Sequence, residues 1–152
     1  MTVLYIDADA CPVREEAFRV ATRLALDCVV VSNGSRPIRP PGLPNVRMVV
    51  VNDTPDAADD WIAERIGPGD ICVTADIPLA SRCLAAGGRA LSGTGHIWSE
   101  ANIGNALAGR EMARHLRELG IGGGGNAPMT RADRSNFLSA LDTLARAAMR
   151  GR

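Results

Sequence analysis

The sequence predicts a single three-layer α/β domain with a mostly parallel sheet of four or five strands. Three observations predict it. Short β-branched runs alternate with longer stretches of helical periodicity. The runs are almost continuously apolar rather than alternating, as in strands covered on both faces. The length, 152 residues, suits one ordinary domain. Residues 1–152 are therefore read as one unit, with a core over about 1–91 and C-terminal helices over about 96–150 packed on it.

Val3 to Ile6 reads as the first strand. Pro12 opens a helix, where a missing N–H is no loss, and Val13, Ala17, Val20, Ala21 and Leu24 share one of its faces. Cys28 to Val31 is the second strand. It ends in Ser32-Asn33-Gly34-Ser35 and leads to a loop carrying Pro37, Pro40, Pro41 and Pro44, which is neither helix nor central strand. Val46 to Val51 is the third strand. Thr54 is placed to cap a helix with Pro55 in its first turn, burying Ala58, Trp61, Ile62 and Ile66 and stopping at Gly67-Pro68-Gly69. Ile71 to Ala75 is a fourth strand, Pro78 to Ala86 a helix, and Ala90-Leu91 a short fifth strand. Two long helices follow. One runs over about Ser99 to Leu119 with Ile103, Leu107, Met112, Leu116 and Leu119 on its apolar side. The other runs over about Arg131 to Met149 with Phe137, Leu141, Leu144 and Ala148. The stretch Gly122 to Gly125 between them is expected to be mobile.

Composition narrows the function. Seventeen basic residues balance 17 acidic ones, so no global field draws the chain to nucleic acid or to an anionic membrane. All the basic residues are arginine, and chemistry that needs a lysine is excluded. Aromatic residues are 3%, too few for a platform that stacks successive bases. The cysteines at 11, 28, 72 and 83 lack the spacing of a zinc or redox motif, and Cys28 and Cys72 fall in buried strand-like runs. No basic leader and no membrane-length apolar run is present, so a reducing cytoplasm and no membrane partner are expected.

The residues that carry chemistry are carboxylates. Open parallel sheets bind ligands beyond the carboxyl ends of their strands. Asp7 and Asp9 end the first strand, Asp53 follows the third and Asp76 follows the fourth. Asp56, Asp59 and Asp60 lie on the first turns of the second helix at spacings that share a face. Two carboxylates about 4 Å apart repel by roughly 4 kcal/mol at an effective dielectric near 20, so such a set needs a cation or shared protons. For Asp53 and Asp59 a local turn or capping role is the simpler reading. All-oxygen ligands select Mg²⁺ or Mn²⁺, and such a site suits displacement at phosphorus.

Four segments carry a resemblance: Asp7-Ala8-Asp9-Ala10-Cys11-Pro12-Val13, Pro55-Asp56-Ala57-Ala58-Asp59-Asp60-Trp61, Gly69 to Ala80, and Asp133-Arg134 with Phe137. Together they resemble the signature of the bacterial YaiI/YqxD family over nearly the whole chain. That family is similar to PIN-like nucleases, whose acidic strand ends hold divalent metal for phosphodiester hydrolysis. The resemblance implies a PIN-like fold. It also implies that Asp7, one of Asp56, Asp59 and Asp60, and Asp76 match the metal-binding positions.

The expected function is a Mg²⁺- or Mn²⁺-dependent phosphodiester hydrolase acting on RNA. Asp7, Asp9 and Asp76 are the catalytic candidates, and Asp7, Asp56, Asp60 and Asp76 the metal ligands. Asn33 and Ser35 after the second strand, with Arg131 and Arg134 at the start of the last helix, are the candidates for substrate contact. Arg134 has the competing expectation of pairing internally with an Asp of the cluster. Cys11, Asp59 and Asp133 are expected to support the ligands from beside them, and for Cys11 that role is preferred to a nucleophilic one. A second expectation is a phosphatase of the haloacid-dehalogenase type with Asp7 as nucleophile, acting on a phosphorylated small molecule. The absence of lysine weakens it. A third is a nucleotide- or RNA-binding module without catalysis. His96 and His115 lack partners at metal-ligand spacing and are read as surface or packing residues.

Overall fold

A computed structural model of the chain describes residues 2–8, 12–34, 38–54, 56–118 and 129–151, without the side chains of 114 and 116–118. Its centre is a six-stranded sheet in the order β3-β2-β1-β4-β5-β6, formed by β1 (Val3–Asp7), β2 (Asp27–Ser32), β3 (Val46–Val50), β4 (Ile71–Val73), β5 (Arg89–Leu91) and β6 (Ile97–Trp98). All pairings are parallel except that of β5 with β6. The sheet therefore holds one strand more than expected. A two-residue antiparallel strand is too short to leave a period in the sequence, and β6 exists only because the Ser92–Gly95 turn returns it to β5, with Ser92 N–H donating to the His96 carbonyl.

Five helices complete the domain: α1 (Arg14–Arg23), α2 (Ala57–Arg65), α3 (Ile77–Ala85), α4 (Glu100–Glu118) and α5 (Arg131–Met149). Strand alternation assigns them to two faces. Leu4, Ile6, Cys28, Val30, Ile71 and Val73 point to one side, where they meet Val13, Ala17 and Val20 of the α1 region and Phe137, Leu141 and Leu144 of α5. Tyr5, Val29, Val31 and Cys72 point to the other, against Ala58 and Ile62 of α2 and Leu79 and Cys83 of α3. The apolar stripes of α1, α2 and α5 are thus used as their spacing predicts.

The stripe of α4 is not. Ile103 packs on the second layer, but Met112 is 60% exposed, because α4 lies alongside α3 rather than over the sheet. The side chain of Leu116, as well as Leu119 and the glycine stretch 122–125, lies outside what the structure describes.

Helix starts depart from the expected caps in instructive ways. Asp56, not Thr54, occupies the N-cap position of α2, and its side chain makes no capping bond. α3 begins one residue early because Asp76 caps it, accepting from Leu79 N–H at 3.1 Å. α5 opens with a reciprocal box in which Thr130 Oγ1 accepts from Asp133 N–H and Asp133 Oδ2 accepts from Thr130 N–H, both at 3.0 Å.

Candidate active site at the carboxyl edge of the sheet

Strand order runs outward from β1 toward β3 in one direction and from β4 toward β6 in the other. The reversal therefore falls between β1 and β4, the position where open α/β sheets leave a crevice. Asp7 ends β1 there, and Thr74 follows β4 directly. Asp7 has the parity of Tyr5, and Thr74 that of Cys72, so both are directed to the α2/α3 layer. Asp76 starts α3 and Asp59 lies on the first turn of α2 in that same layer.

The hydrogen bonds at this point run in one direction. Asp76 N–H donates to Thr74 Oγ1 at 2.9 Å, and Thr74 Oγ1 donates to Asp7 Oδ2 at 2.8 Å. Thr74 is fully buried and Asp7 only 5% exposed. The threonine hydroxyl thus accepts from the Asp76 backbone and donates to the Asp7 carboxylate, tying the end of β1 to the start of α3. Asp76 Oδ1 accepts from Leu79 N–H at the start of α3.

A third carboxyl must coexist with these two. The Asp59 acid is pushed up to about 7, first by burial, then by the negative charges of Asp76, Asp7 and Asp56, and last by a hydrogen bond to Asp76. Near neutral pH, Asp59 and Asp76 thus share a proton carried mainly by Asp59. This is the second of the two ways in which the crowding expected from the sequence can be relieved. Among the described residues, no three His, Cys, Asp or Glu side chains form a ready-made metal cage. The unit is a proton-sharing carboxyl pair with a buried, oriented carboxylate beside it. Its donor set is all oxygen, and a cation that keeps most of its water needs only one or two such carboxylates. The residues present fit Mg²⁺ or Mn²⁺ on that chemistry.

The structure places the other candidates as follows. Asp56 is exposed at the start of α2 and contributes charge to Asp59. Asp60 is turned to Arg82 of α3, its Oδ1 accepting at 2.8 Å, so it joins the helices α2 and α3 rather than the carboxyl pair. Asp59, given the supporting role beforehand, is the member of α2 that meets Asp76. The one-residue difference is a 100° turn of the helix, and the sequence does not say which Asp is turned inward.

Arg134 pairs with Glu16 of α1 at 2.9 Å, not with an Asp of the cluster, because α5 packs on α1 across the sheet from α2 and α3. Asp133 is occupied by the helix cap. Arg131 is exposed at the start of α5. Asn33 lies just past β2, half-buried. Asp9, Cys11 and Ser35 lie outside the described residues. His96 is exposed and rests edge-on against Trp98 with ring centroids 4.3 Å apart, and His115 is exposed on α4. Sequence reasoning missed Thr74. Its signal was a lone hydroxyl closing an apolar strand two residues before Asp76, the pattern of a side chain that bonds the backbone of the next turn.

A three-layer α/β domain whose carboxyl groups meet where its strand order reverses is the class that fold and site define. The profile described as Uncharacterized BCR, YaiI/YqxD family, matches residues 5–147. A UPF0178 protein of Rhodospirillum rubrum is 55% identical over 149 residues, 98% of this chain and 99% of the relative. A second, from Ruegeria pomeroyi, is 55% identical over 153 residues, 99% of this chain and 97% of the relative. A third, from Caulobacter sp. strain K31, is 54% identical over 143 residues, 94% of this chain and 93% of the relative. The chain belongs to the YaiI/YqxD family. No solved structure matches it. Among the described residues no helix is long and apolar enough to cross a membrane.

Proposed function

We propose that the protein is a divalent-metal-dependent phosphodiester hydrolase acting on RNA, with its site at Asp7, Asp59 and Asp76. The observation that carries the reading is the Asp59–Asp76 pair. An acid pushed up to about 7 by burial and by the neighbouring carboxylates Asp76, Asp7 and Asp56 is a proton that a Mg²⁺ or Mn²⁺ ion displaces at near-neutral pH. Retaining this crowding destabilises the fold unless something positive is gained by it. The resemblance to PIN-like nucleases supports the same reading and matches Asp7, Asp76 and one of the α2 aspartates to the metal-binding positions.

Asp7 and Asp76 would hold the ion, with Asp59 joining them once deprotonated. When bound, the ion supplies neutralisation of phosphate charge and activation of water. The chain supplies the rest. Thr74 fixes the rotamer of Asp7 by donating to its Oδ2. Leu79 N–H does the same for Asp76 Oδ1. Asp59 titrates near the working pH and can accept or release a proton beside the scissile group.

The test is calorimetric titration with Mn²⁺ in buffers of different ionisation enthalpy, paired with cleavage of an RNA panel by nuclease-free protein. Mn²⁺ binding is expected to release about one proton near pH 6 and to be lost, together with cleavage, in Asp7→Asn. Cleavage unchanged by Asp7→Asn would sink the hydrolase reading. Trapping of Asp7 by beryllium fluoride would replace it with a phosphatase that uses Asp7 as nucleophile.

A further inference from the structure

We propose that the cavity between Tyr5 and Arg47 binds a small phosphorylated sugar, its phosphate held by these two side chains and its hydroxyls by Asp27. The cavity holds about 420 Å³, within the range that takes a small molecule. It lies on the α2 side of the sheet, and Val3, Tyr5, Asp27, Val29 and Arg47 are among its walls. The register of three strands makes it. Tyr5 is paired with Val29 and Val29 with Arg47, so the three stand in a row on one face. Two strand spacings, roughly 10 Å, separate the Cα atoms of Tyr5 and Arg47. Val29 between them is the short side chain, and the space above it is left open. Val3 is paired with Asp27, which puts that carboxylate on the same face two residues nearer the amino end.

The cavity contains polar groups that the chain leaves unused. Tyr5 is only 7% exposed, yet its hydroxyl makes no hydrogen bond among the described residues and is not sealed from solvent. A buried phenol is ordinarily given a partner. The charged groups near it are spent elsewhere. Asp70 accepts from Val3 N–H at 3.1 Å and from Gly67 N–H at 3.0 Å. Arg65 lies over the Trp61 ring, 4.0 Å from its centroid, and donates to the Trp61 carbonyl. Among the described residues neither Arg47 nor Asp27 has an ion-pair partner.

The chemistry of these groups selects the ligand. Burial, and then the negative charge of Asp70, hold the Tyr5 phenol above its ordinary acidity range against the opposing charges of Arg47 and Arg65. It is therefore a proton donor at neutral pH, with a guanidinium near enough to act on it. A phosphate offers three acceptor oxygens, so the guanidinium fork can take two and the phenol one. A carboxylate has too few oxygens to meet both in this way. Asp27 is acceptor-only when ionised and suits the hydroxyl groups of a sugar, as an acidic residue suits ribose in dinucleotide sites. Val3 and Asp27 begin their strands, so the cavity opens toward the amino end of the sheet. The proposal is thus independent of the hydrolase reading, whose site lies at the opposite rim.

The experiment is calorimetric titration of the full chain, with a chelator present, using ribose 5-phosphate, adenosine 5′-monophosphate and inorganic phosphate. Far-UV circular dichroism confirms the fold of each variant, and Tyr5→Phe keeps the ring that meets Trp61 edge-on. Both sugar phosphates are expected to saturate the protein, and inorganic phosphate to bind about tenfold or more weakly, because it lacks the hydroxyls that Asp27 accepts from. Tyr5→Phe and Arg47→Gln are each expected to weaken binding of all three by about tenfold or more. Asp27→Ala is expected to weaken the sugar phosphates and to leave inorganic phosphate unchanged. Asp7→Asn is expected to change none of them. Tighter binding of adenosine 5′-monophosphate assigns the cavity to nucleotides, and the reverse order assigns it to sugar phosphates. No saturation in the millimolar range, equal affinity for inorganic phosphate, affinities unmoved by Tyr5→Phe and Arg47→Gln, or a loss in Asp7→Asn would each overturn the proposal.

Discussion

Thr74 Oγ1 donates to Asp7 Oδ2 at 2.8 Å across the point where the strand order reverses, and both side chains are buried. The bond joins the residue that ends β1 to the residue after β4. It also ties Asp7 to the start of α3, because Asp76 N–H donates to the same threonine oxygen. Replacing the hydroxyl with a methyl keeps the shape and removes the donor. Thr74→Val is therefore expected to destabilise the fold by about 1–3 kcal/mol, the cost of a buried carboxylate left short of a donor. Thr74→Ser is expected to retain most of that stability. Urea denaturation of the three proteins at neutral pH checks this, and equal midpoints would show that Asp7 does not depend on Thr74.

Asp59 gives the metal-free protein a distinct dependence on pH. Its acid titrates at 3.8 when unperturbed and at about 7 in the fold. Between those values the folded protein holds a proton that the unfolded chain has released. The stability contributed is full at low pH, declines as pH rises and is gone above the folded value. Asp59→Asn removes the titration. The variant is expected to match wild type near pH 4.5 and to exceed it near pH 8 by on the order of 1 to 2 kcal/mol once solvent screening is allowed for. Denaturation in the presence of a chelator at both pH values measures the difference, and parallel profiles would contradict the crowding of Asp59 by Asp7 and Asp76.

The sheet was readable because its strands are apolar on both sides. Val3 to Ile6, Cys28 to Val31 and Val46 to Val51 need no partner information to be recognised. The meeting of Asp7 with Asp76 followed from topology alone, since parallel strands put their carboxyl ends on one rim. Rotation within a turn of helix was not readable. Asp56, Asp59 and Asp60 have the same chemistry, and the choice among them is made by the packing of Ala58 and Ile62, which turns Asp59 toward Asp76 and Asp60 toward Arg82. The partner of Arg134 was hidden for a related reason. Glu16 belongs to an apolar helical face, and only the docking of α5 on α1 brings the two together.

The Asp60–Arg82 pair is half exposed on both sides, so it is a surface bridge despite its 2.8 Å separation. Asp60→Asn is expected to cost less than about 1 kcal/mol. It is also expected to leave Mn²⁺ affinity unchanged, whereas Asp59→Asn and Asp76→Asn lower it. Parallel calorimetric titrations of the three variants assign the ligand of α2. Loss of affinity in Asp60→Asn alone would move the site to the outer face of the helix.

Gly95 closes the turn between β5 and β6 with a φ of +90°, and a Cβ there would lie 2.7 Å from the backbone oxygen of Asn136 in α5. Two costs combine at this position. The left-handed backbone alone disfavours alanine by about 1 kcal/mol, and a clash with helix backbone has no flexible side chain to relieve it. Gly95→Ala is expected to lower stability by more than that figure and to loosen α5. Hydrogen exchange at the Asn136–Leu141 amides reads the second effect, and unchanged protection there would contradict the close approach.

Glu16 and Arg134 form the one ion pair among the described residues whose carboxylate side chain is buried, at 9% exposed. Glu16 Oε1 accepts from Arg134 at 2.9 Å, while Oε2 has no hydrogen-bond partner among the described residues. Among the described residues Arg134 is the counter-charge of Glu16 at contact distance. Removing the arginine leaves a buried carboxylate uncompensated, a loss expected to reach about 2–4 kcal/mol in Arg134→Met, below the figure for a fully desolvated pair because the guanidinium is partly exposed. Neutralising the acid at the same time removes the charge that needs a partner. The double variant Glu16→Gln/Arg134→Met is therefore expected to be more stable than Arg134→Met alone. A double-mutant cycle by urea denaturation measures the coupling, and additive single costs would mean that α5 is held to α1 by Phe137 and Leu141 without help from the charges.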